Sequence, residues 1–371
     1  MKIKKIEAKI VSIPLDKPKV IATGPIISRE YLITKITTDN GIVGWGMTFV
    51  SGNSAKEIIE KKLQHLLLDK DPNYVENLWE KMFYSTLKWG RRGIYIRAIS
   101  AIDIALWDIK CKAFNVSLSK LLGGYREAIP VYASGGYCNL KEGVNEVDAI
   151  AKEMQEHVRQ GFSAAKMKMS GVDLNLDIER IKAAREVLGE KRKLYIDANN
   201  GWKLYQLTPR IIDELEEIGI DWLEEPFMPD AIEETARLRE KTTIPIATGE
   251  LLSTRWDFKQ LLDSNSFDIW QPDVAVLGGI TEWIKVMAMA LIWNIPVAPH
   301  ALHEIHLQLA AACPESQVYV IEYLDTTGDV FNYGKLLKKP LKAKKGYLHV
   351  PEDPGVGIEF DEALIDQYEV K

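Results

Sequence analysis

Residues 164–226 decide the fold, because three short apolar runs in this segment each end in charged side chains. The runs are AAKMKM at 164–169, LYID at 194–197 and WLEEP at 222–226, and longer amphipathic stretches separate them. Repeated alternation of strand and helix predicts a parallel sheet, and eight strands at this spacing fit a closed barrel. A doubly wound open sheet is the alternative, but no glycine-rich phosphate turn follows an early strand. The five other predicted barrel strands are at 131–133, 245–247, 267–269, 296–298 and 318–320.

The first 125 residues are organised differently. Alternating apolar and polar residues predict antiparallel strands at 2–14, 31–38 and 42–49, with a hairpin turn at Asp39-Asn40-Gly41. Helical periodicity then predicts helices at 55–68, 72–85 and 94–114. We therefore predict three parts: an α+β domain at 1–125, the barrel at 126–325, and a loop-rich segment at 326–371 that packs on the first domain.

Composition excludes several classes of protein. The 371-residue chain has 46% hydrophobic and 27% charged residues, as is typical of soluble globular proteins. Its net charge of −6 and its lack of an extended basic cluster argue against a nucleic-acid partner. No signal-like or membrane-spanning apolar run is present, so we predict a cytoplasmic protein with no membrane partner. Cys111, Cys138 and Cys313 lie too far apart in sequence to suggest a disulfide framework or a metal site.

Charged residues close seven predicted strands in succession. Any one of them alone could be a helix cap or a solvated charge, but the carboxyl ends of parallel barrel strands meet at one mouth. We therefore expect these side chains to form a single site. They are Lys166 and Lys168, then Asp197, Glu224, Glu250, Asp273, His300 and Glu322.

Three acids follow consecutive strands and predict a metal site. Neighbouring strands lie about 4.8 Å apart, so Asp197, Glu224 and Glu250 would repel one another unless a cation lay among them. Oxygen ligands without cysteine or histidine suit Mg²⁺ better than zinc. Glu225 alternates to the opposite face of its strand and is predicted to be structural.

Candidate acid–base groups flank these acids. Lys166 and Lys168 lie two positions apart, so both point into the barrel mouth, and their proximity should lower the pKa of a base. On the other side, a carboxylate at Asp273 would orient the imidazole of His300 and raise its basicity. His303 and His306 follow at helical spacing and are predicted to be structural.

In this order, the residues resemble the enolase superfamily and, within it, the mandelate racemase subgroup. The resemblance spans nearly the whole chain and includes AIDIALWD at 101–108 and LLGG at 121–124. It implies an α/β protein with a modified TIM barrel, (β/α)7β, under an N-terminal α+β capping domain that the C-terminal segment completes. The site residues it implies are magnesium ligands at Asp197, Glu224 and Glu250, Lys168 as an acid/base supported by Lys166, the Asp273–His300 dyad as the second acid/base, and Glu322 as a hydrogen-bond donor to the enolate.

The implied chemistry is removal of the proton beside a carboxylate of a small hydroxy acid. The product is an enediolate, which only a concentrated positive site stabilises. Residues 268–274 (DIWQPDV) lack the lysine typical of the muconate-lactonising and dipeptide-epimerase branch. Two reactions remain open: dehydration of a sugar acid, favoured because relatives with this lysine pair and dyad are mostly acid-sugar dehydratases, and racemisation or epimerisation of a 2-hydroxy acid. A non-catalytic barrel is disfavoured, since every expected group is present.

The loops at 17–29 and 50–55 are predicted to select the substrate. Their polar and basic side chains suit a polyhydroxylated small-molecule carboxylate better than an aromatic acid. Asn199, just beyond Asp197, is a further candidate for substrate binding, and the turn at 89–92 could lie nearby. Relatives usually form dimers or octamers, so we also predict a homo-oligomer. The loop residues in question are Lys17, Lys19, Thr23, Arg29, Ser51 and Asn53.

Overall fold

A computed structural model describes residues 1–141, 143–171, 173–327 and 330–370. The N-terminal strands β1 (Ile3–Ile21), β2 (Gly24–Thr38) and β3 (Val43–Val50) form the predicted antiparallel sheet. None of the helices in the described ranges is long and apolar enough to cross a lipid bilayer. The helices of this domain are α1 (Ser54–Ile58), a π-helical turn (Ile59–Leu63), α2 (Gln64–Leu67), α3 (Val75–Thr86), α4 (Ile94–Ala113) and α5 (Leu118–Leu121).

The first hairpin is longer than the sequence predicts. Residues 17–29, predicted to be a loop, continue β1 and β2 after a register shift between Pro14 and Lys19. We call residues 15–29 the capping ribbon. Polar side chains and two prolines hide the strand pattern there, which is why the alternation of residues does not predict it.

The barrel strands are parallel and in the predicted order. The eighth strand covers Ile321–Tyr323 instead of 318–320, because residues 318–321 are uniformly apolar and do not define which residues pair. The seventh strand is reduced to the single residue Val297. Val297 bridges Trp270 of the sixth strand and Val318, which lies three residues before the last strand. Between the first two barrel strands, the short strand β5 (Cys138–Asn139) pairs with β1 in the capping ribbon. The barrel strands are β4 (Ala128–Gly135), β6 (Ala164–Lys168), β7 (Lys193–Asp197), β8 (Trp222–Glu224), β9 (Ile246–Thr248), β10 (Ile269–Trp270) and β11 (Ile321–Tyr323).

Seven helices follow the first seven barrel strands, as the (β/α)7β architecture requires. Several begin with a side-chain cap, as at Asn145, Asp173 and Thr208. Below the mouth, the rings of Tyr195 and Trp222 stack with their centroids 3.4 Å apart in the interior of the barrel. We call this pair the aromatic plug. The helices are α6 (Glu146–Arg159), α7 (Leu174–Leu188), α8 (Pro209–Ile218), α9 (Ile232–Arg239), α10 (Thr254–Ser264), α11 (Ile280–Ile292) and α12 (His303–Ala310).

The C-terminal segment, predicted to pack on the N-terminal domain, contacts both parts. Strand β12 (Tyr347–His349) pairs with β4 of the barrel, while helix α13 (Glu362–Tyr368) lies on β1. Lys35 pairs with Glu362 at 2.7 Å and holds this helix against the N-terminal sheet. The exact division of the chain at residues 125 and 325 stays a prediction.

The capping ribbon reaches the barrel mouth through a close contact at two glycines. A Cβ at Gly201 would lie 2.4 Å from the Cβ of Ala22, and one at Gly171 would lie 2.3 Å from it. Gly171 also has φ +68°, which a side chain would disfavour. The tip of the ribbon therefore docks only because each of the two loops beneath it has a glycine at the point of contact.

This contact predicts a rescue experiment. Gly201→Ala should lower the free energy of unfolding by about 1–3 kcal/mol, because the added methyl group overpacks the ribbon against the barrel. Adding Ala22→Gly should restore most of this loss, since it removes the atom that the new methyl group meets. Urea denaturation measures both, and a double variant as unstable as Gly201→Ala would contradict the prediction.

Candidate active site

The structure brings all eight predicted strand-end residues to one mouth of the barrel. Lys166 and Lys168 lie in β6, Asp197 and Glu224 end β7 and β8, and the others lie in or just beyond the following strands. Seven of the eight side chains are buried, and that of Glu250 is only 12% exposed. Ionisable groups are rarely buried unless they are paired, so the burial of these residues together indicates a functional site.

The three acids lie close enough to share one cation. One carboxylate oxygen from each of Asp197, Glu224 and Glu250 lies within 4.8 Å of the other two. Burial and the negative charge of Asp197 raise the pKa of Glu224 to about 8, although Lys166 opposes this shift. Glu250 Oε2 is buried and accepts no hydrogen bond from the described residues. An all-oxygen set with an unused buried oxygen fits Mg²⁺.

A side chain of the same strand and one from beyond β10 orient the central acid. Glu224 Oε2 accepts hydrogen bonds from Gln271 Nε2 at 2.6 Å and from Trp222 Nε1 at 3.2 Å. Asp197 Oδ1 accepts the backbone N–H of Asn199 at 2.8 Å. These donors fix the carboxylates before any ligand binds.

The two lysines contact the acids directly, which corrects the predicted direction of the pKa shift. Lys166 Nζ lies 2.5 Å from Glu224 Oε1 and 3.0 Å from Glu322 Oε1, and Lys168 Nζ donates to Asp197 Oδ2. Burial and Lys166 lower the pKa of Lys168, but the Asp197 carboxylate outweighs them, and the pKa is raised. Asp197 is also one of the three clustered acids, which we call the metal set. A carboxylate that shares its charge with a cation raises the pKa of a neighbouring lysine less strongly.

The predicted dyad is present on the other side of the acids. His300 Nδ1 lies 2.7 Å from Asp273 Oδ2, and the other oxygen of Asp273 accepts the N–H of Ala275 at 2.7 Å. His300 Nε2 faces Glu250 Oε2 at 3.4 Å. Burial would lower the pKa of His300, but Glu250 and Asp273 raise it to about 9. The imidazole is therefore oriented with one nitrogen toward Asp273 and the other toward the three acids.

Glu322 differs from its predicted state. As a hydrogen-bond donor it would be protonated, yet it forms an ion pair with Lys166 at 3.0 Å and accepts the N–H of Ala301 at 2.8 Å. Burial would raise the pKa of Glu322, but the charges of Lys166 and His300 lower it. The carboxyl group is therefore ionised here, and it supports Lys166 and the backbone beside His300.

A buried polar network lies behind the dyad. His306 Nε2 accepts the N–H of Val274 at 3.3 Å, and burial lowers the pKa of His306 to about 4. Glu304 accepts the hydroxyl of Tyr333 at 2.8 Å and lies 3.3 Å from His303 Nε2. These side chains do not line the cavity, which is consistent with the predicted structural role of both histidines.

Glu225 is not one of the three clustered acids, although burial and the charges of Glu250, Asp197 and Glu224 raise its pKa well above the ordinary value. It is 2% exposed, and its Oε2 accepts Asn200 Nδ2 at 2.8 Å. It therefore positions a loop of the mouth.

A cavity of about 220 Å³ lies between the barrel mouth and the capping domain. Lys168, Glu250, Asp273 and His300 line its barrel side, together with the predicted Asn199. Of the predicted capping residues, Thr23 and Arg29 line this cavity, whereas Lys17 and Lys19 line another, of about 280 Å³. Ser51 and Asn53 line neither, and Arg91 and Arg92 of the predicted turn line a third. Lining residues that the sequence did not predict include Ile21, Phe49, Arg97, Tyr137, Asn200 and Phe331.

Comparison with known proteins agrees with the geometry. Residues 5–123 match the mandelate racemase/muconate lactonizing enzyme N-terminal domain, and residues 149–364 match the enolase C-terminal domain-like family. The chain is 34% identical to arabinonate dehydratase of Saccharolobus solfataricus, covering 92% of this chain and 91% of the relative. It is 33% identical to D-galactarolactone cycloisomerase of Agrobacterium fabrum, covering 99% of each.

A solved structure adds the metal. A racemase from Streptomyces coelicolor with bound magnesium superposes with a TM-score of 0.90 at 29% identity, covering 99% of this chain and 100% of that one. Together with the acidic triad, this supports magnesium as the cofactor. The protein is an enzyme, and it belongs to the mandelate racemase subgroup of the enolase superfamily.

Proposed function

We propose that the protein is a magnesium-dependent sugar-acid dehydratase. The observation that carries the proposal is that Lys168 and His300 line the same cavity on different sides of the three acids. Dehydration needs one group that removes a proton and another that protonates a leaving hydroxyl. Two such groups facing one cavity supply both.

The proposed steps follow from these positions. Lys168 Nζ takes the proton from C2, the carbon beside the substrate carboxylate, and the electron pair moves into that carboxylate. The C3–O bond then breaks, and His300 Nε2 gives a proton to the departing hydroxyl, which leaves as water. The resulting enol becomes a 2-keto acid. Magnesium bound at the three acids supplies positive charge beside the carboxylate oxygens that become more negative.

The remaining residues support these steps. Lys166, held between Glu224 and Glu322, adds a positive charge next to the carboxylate site. Asp273 orients His300 so that Nε2, and not Nδ1, faces the metal set. Asn199 lines the cavity with a buried Oδ1 that accepts no hydrogen bond within the described residues, and we propose that it binds a substrate hydroxyl. Assembly as a dimer or octamer and a cytoplasmic location stay predictions.

The second candidate is racemisation or epimerisation of a 2-hydroxy acid. The same two groups favour it, because a proton removed by one of them could be returned to the opposite face by the other. It differs from dehydration only in whether a 3-hydroxyl leaves.

A substrate panel separates the candidates. We expect incubation with Mg²⁺ and a series of aldonic and aldaric acids to release a 2-keto acid from at least one of them, detected by semicarbazide absorbance. Loss of optical rotation without a keto acid would support the racemase, and neither signal across a broad panel would support a non-catalytic barrel. Recovering the substrate from ²H₂O identifies the carbon that exchanges.

The proposed bases predict two inactive variants. Lys168→Ala and His300→Asn should each lower kcat by about 10²–10⁴-fold, the usual contribution of a positioned acid or base. Exposed residues provide matched controls: Lys193→Ala and His349→Asn should keep near-normal turnover. Circular dichroism confirms folding, and near-normal activity in either site variant would refute its assigned role.

The metal site predicts a loss of magnesium binding in Glu250→Ala. In the wild type, saturating Mg²⁺ should raise the thermal midpoint, because a ligand that binds only the folded state stabilises it. Glu250→Ala should weaken Mg²⁺ binding at least about tenfold, since one of three carboxylate ligands is gone. The control Glu240→Ala alters an exposed carboxylate. Calorimetric titration with Mg²⁺ measures the change, and equal affinities in both variants would count against the site.

A further inference from the structure

We propose that Arg29 binds a second carboxylate, at the far end of the substrate, so that the preferred substrate is a sugar diacid and not a sugar monoacid. This inference rests on the proposed function, because it concerns the same cavity and the same reaction. It assigns a role to a capping residue that the chemistry at the barrel mouth does not use.

Arg29 has no carboxylate partner among the residues that the structure describes. Its guanidinium carbon lies 4.7 Å from the centre of the Phe331 ring, and its Nε is buried without a hydrogen bond. No carboxylate of the described residues lies within 4.0 Å of its nitrogens. A mostly buried guanidinium is normally paired, and its planar donors match a carboxylate.

The charged barrel residues that line the cavity are already engaged. Lys168 pairs with Asp197, and Asp273 pairs with His300. Glu250 belongs to the metal set. Among the described residues, Arg29 and Arg97 are therefore the lining cations that have no carboxylate within 4.0 Å.

Arg97 is the nearest comparison and is engaged differently. Its Nη1 donates to the Phe49 carbonyl at 3.2 Å. Burial lowers the pKa of Arg97, whereas the charges of Asp273 and Glu250 raise it. Arg97 thus partly offsets acids of the barrel mouth.

The position of Arg29 fits the far end of a short carbon chain. The His300 ring lies 5.7 Å from the Phe331 ring, and Arg29 lies against that same Phe331 ring. His300 acts near C2 and C3, at the end held by the acids. Arg29 comes from the capping ribbon on the opposite wall, so a chain extending from the reacting carbons past Phe331 ends near the guanidinium.

A carboxylate fits this position better than a hydroxyl. A hydroxyl would satisfy one donor but leave the positive charge of the partly buried Arg29 without compensation. A carboxylate accepts two parallel N–H bonds from a guanidinium and neutralises it. A sugar diacid places such a group at the end remote from the reacting carboxylate.

The test compares acids that differ only at the terminal carbon, galactarate with galactonate and glucarate with gluconate. With Mg²⁺, the wild type should show a higher kcat/KM for the diacid of at least one pair by about 10–100-fold, the usual effect of a charge-assisted hydrogen bond. Arg29→Met should lower this diacid-to-monoacid ratio at least about tenfold, mainly through KM. Arg29→Lys should keep part of it, because the charge remains.

Arg91→Met is the matched control, since it removes an exposed arginine outside this cavity. A wild type that prefers monoacids, or an Arg29→Met variant that loses both substrates equally, would overturn the inference. Circular dichroism establishes that each variant is folded.

A binding measurement separates this inference from the proposed function. In His300→Asn with Mg²⁺, calorimetric titration of galactarate and glucarate should show that adding Arg29→Met weakens binding at least about tenfold. If no acid is dehydrated by the wild type, the proposed reaction fails while this titration still decides the role of Arg29. Unchanged diacid affinity would refute that role.

Discussion

Three carboxylates held within 4.8 Å of one another, at the ends of adjacent buried strands, are the constraint around which the rest of the structure is arranged. Their mutual repulsion in a low-dielectric setting must be offset, and the structure does this with donors from both neighbouring sides. Lys166 and Lys168 come from the preceding strand, and Gln271 and Trp222 provide neutral donors to Glu224. Beneath them, the aromatic plug fills the interior of the barrel. The site is thus charged above and apolar below, and a cation is stabilised only at the mouth.

Holding His300 at this mouth requires a strained backbone. Ala301 and Leu302 adopt left-handed conformations with φ of +49° and +35°, which for side-chain-bearing residues cost about 1–3 kcal/mol each. Glu322 accepts the N–H of Ala301, and the bond from Tyr333 to Glu304 fixes the helix that follows. Tyr333 belongs to the C-terminal segment. The segment that completes the capping domain therefore also holds the catalytic side of the barrel in place.

The barrel and its charged residues could be predicted because a strand alternates its faces and parallel strands end together. That rule needs no knowledge of distant contacts, so it located Lys166, Lys168 and the three acids directly. It could not locate Arg97 or Phe331, because their positions depend on how the capping domain and the C-terminal segment fold back over the mouth. The sequence-based interpretation was also wrong about the protonation of Glu322 and about the direction in which the pKa of Lys168 is shifted. Those depend on contacts such as 3.0 Å from Lys166 to Glu322, which no sequence pattern encodes.

The side chains that the barrel contributes to the cavity are held more rigidly than those that the capping ribbon contributes. Lysines, acids and imidazole project from short buried strands whose register is fixed by the sheet, so their mutual geometry has little freedom. Thr23 and Arg29 instead project from the capping ribbon, which rests on the barrel through Ala22 and two glycines and pairs with it through only two residues of β5. On the proposed assignment, a change in the ribbon would alter which end group the cavity accepts without disturbing Lys168 and His300. The proposed chemistry thus belongs to the barrel strands, and the proposed selection of the substrate's far end belongs to the ribbon.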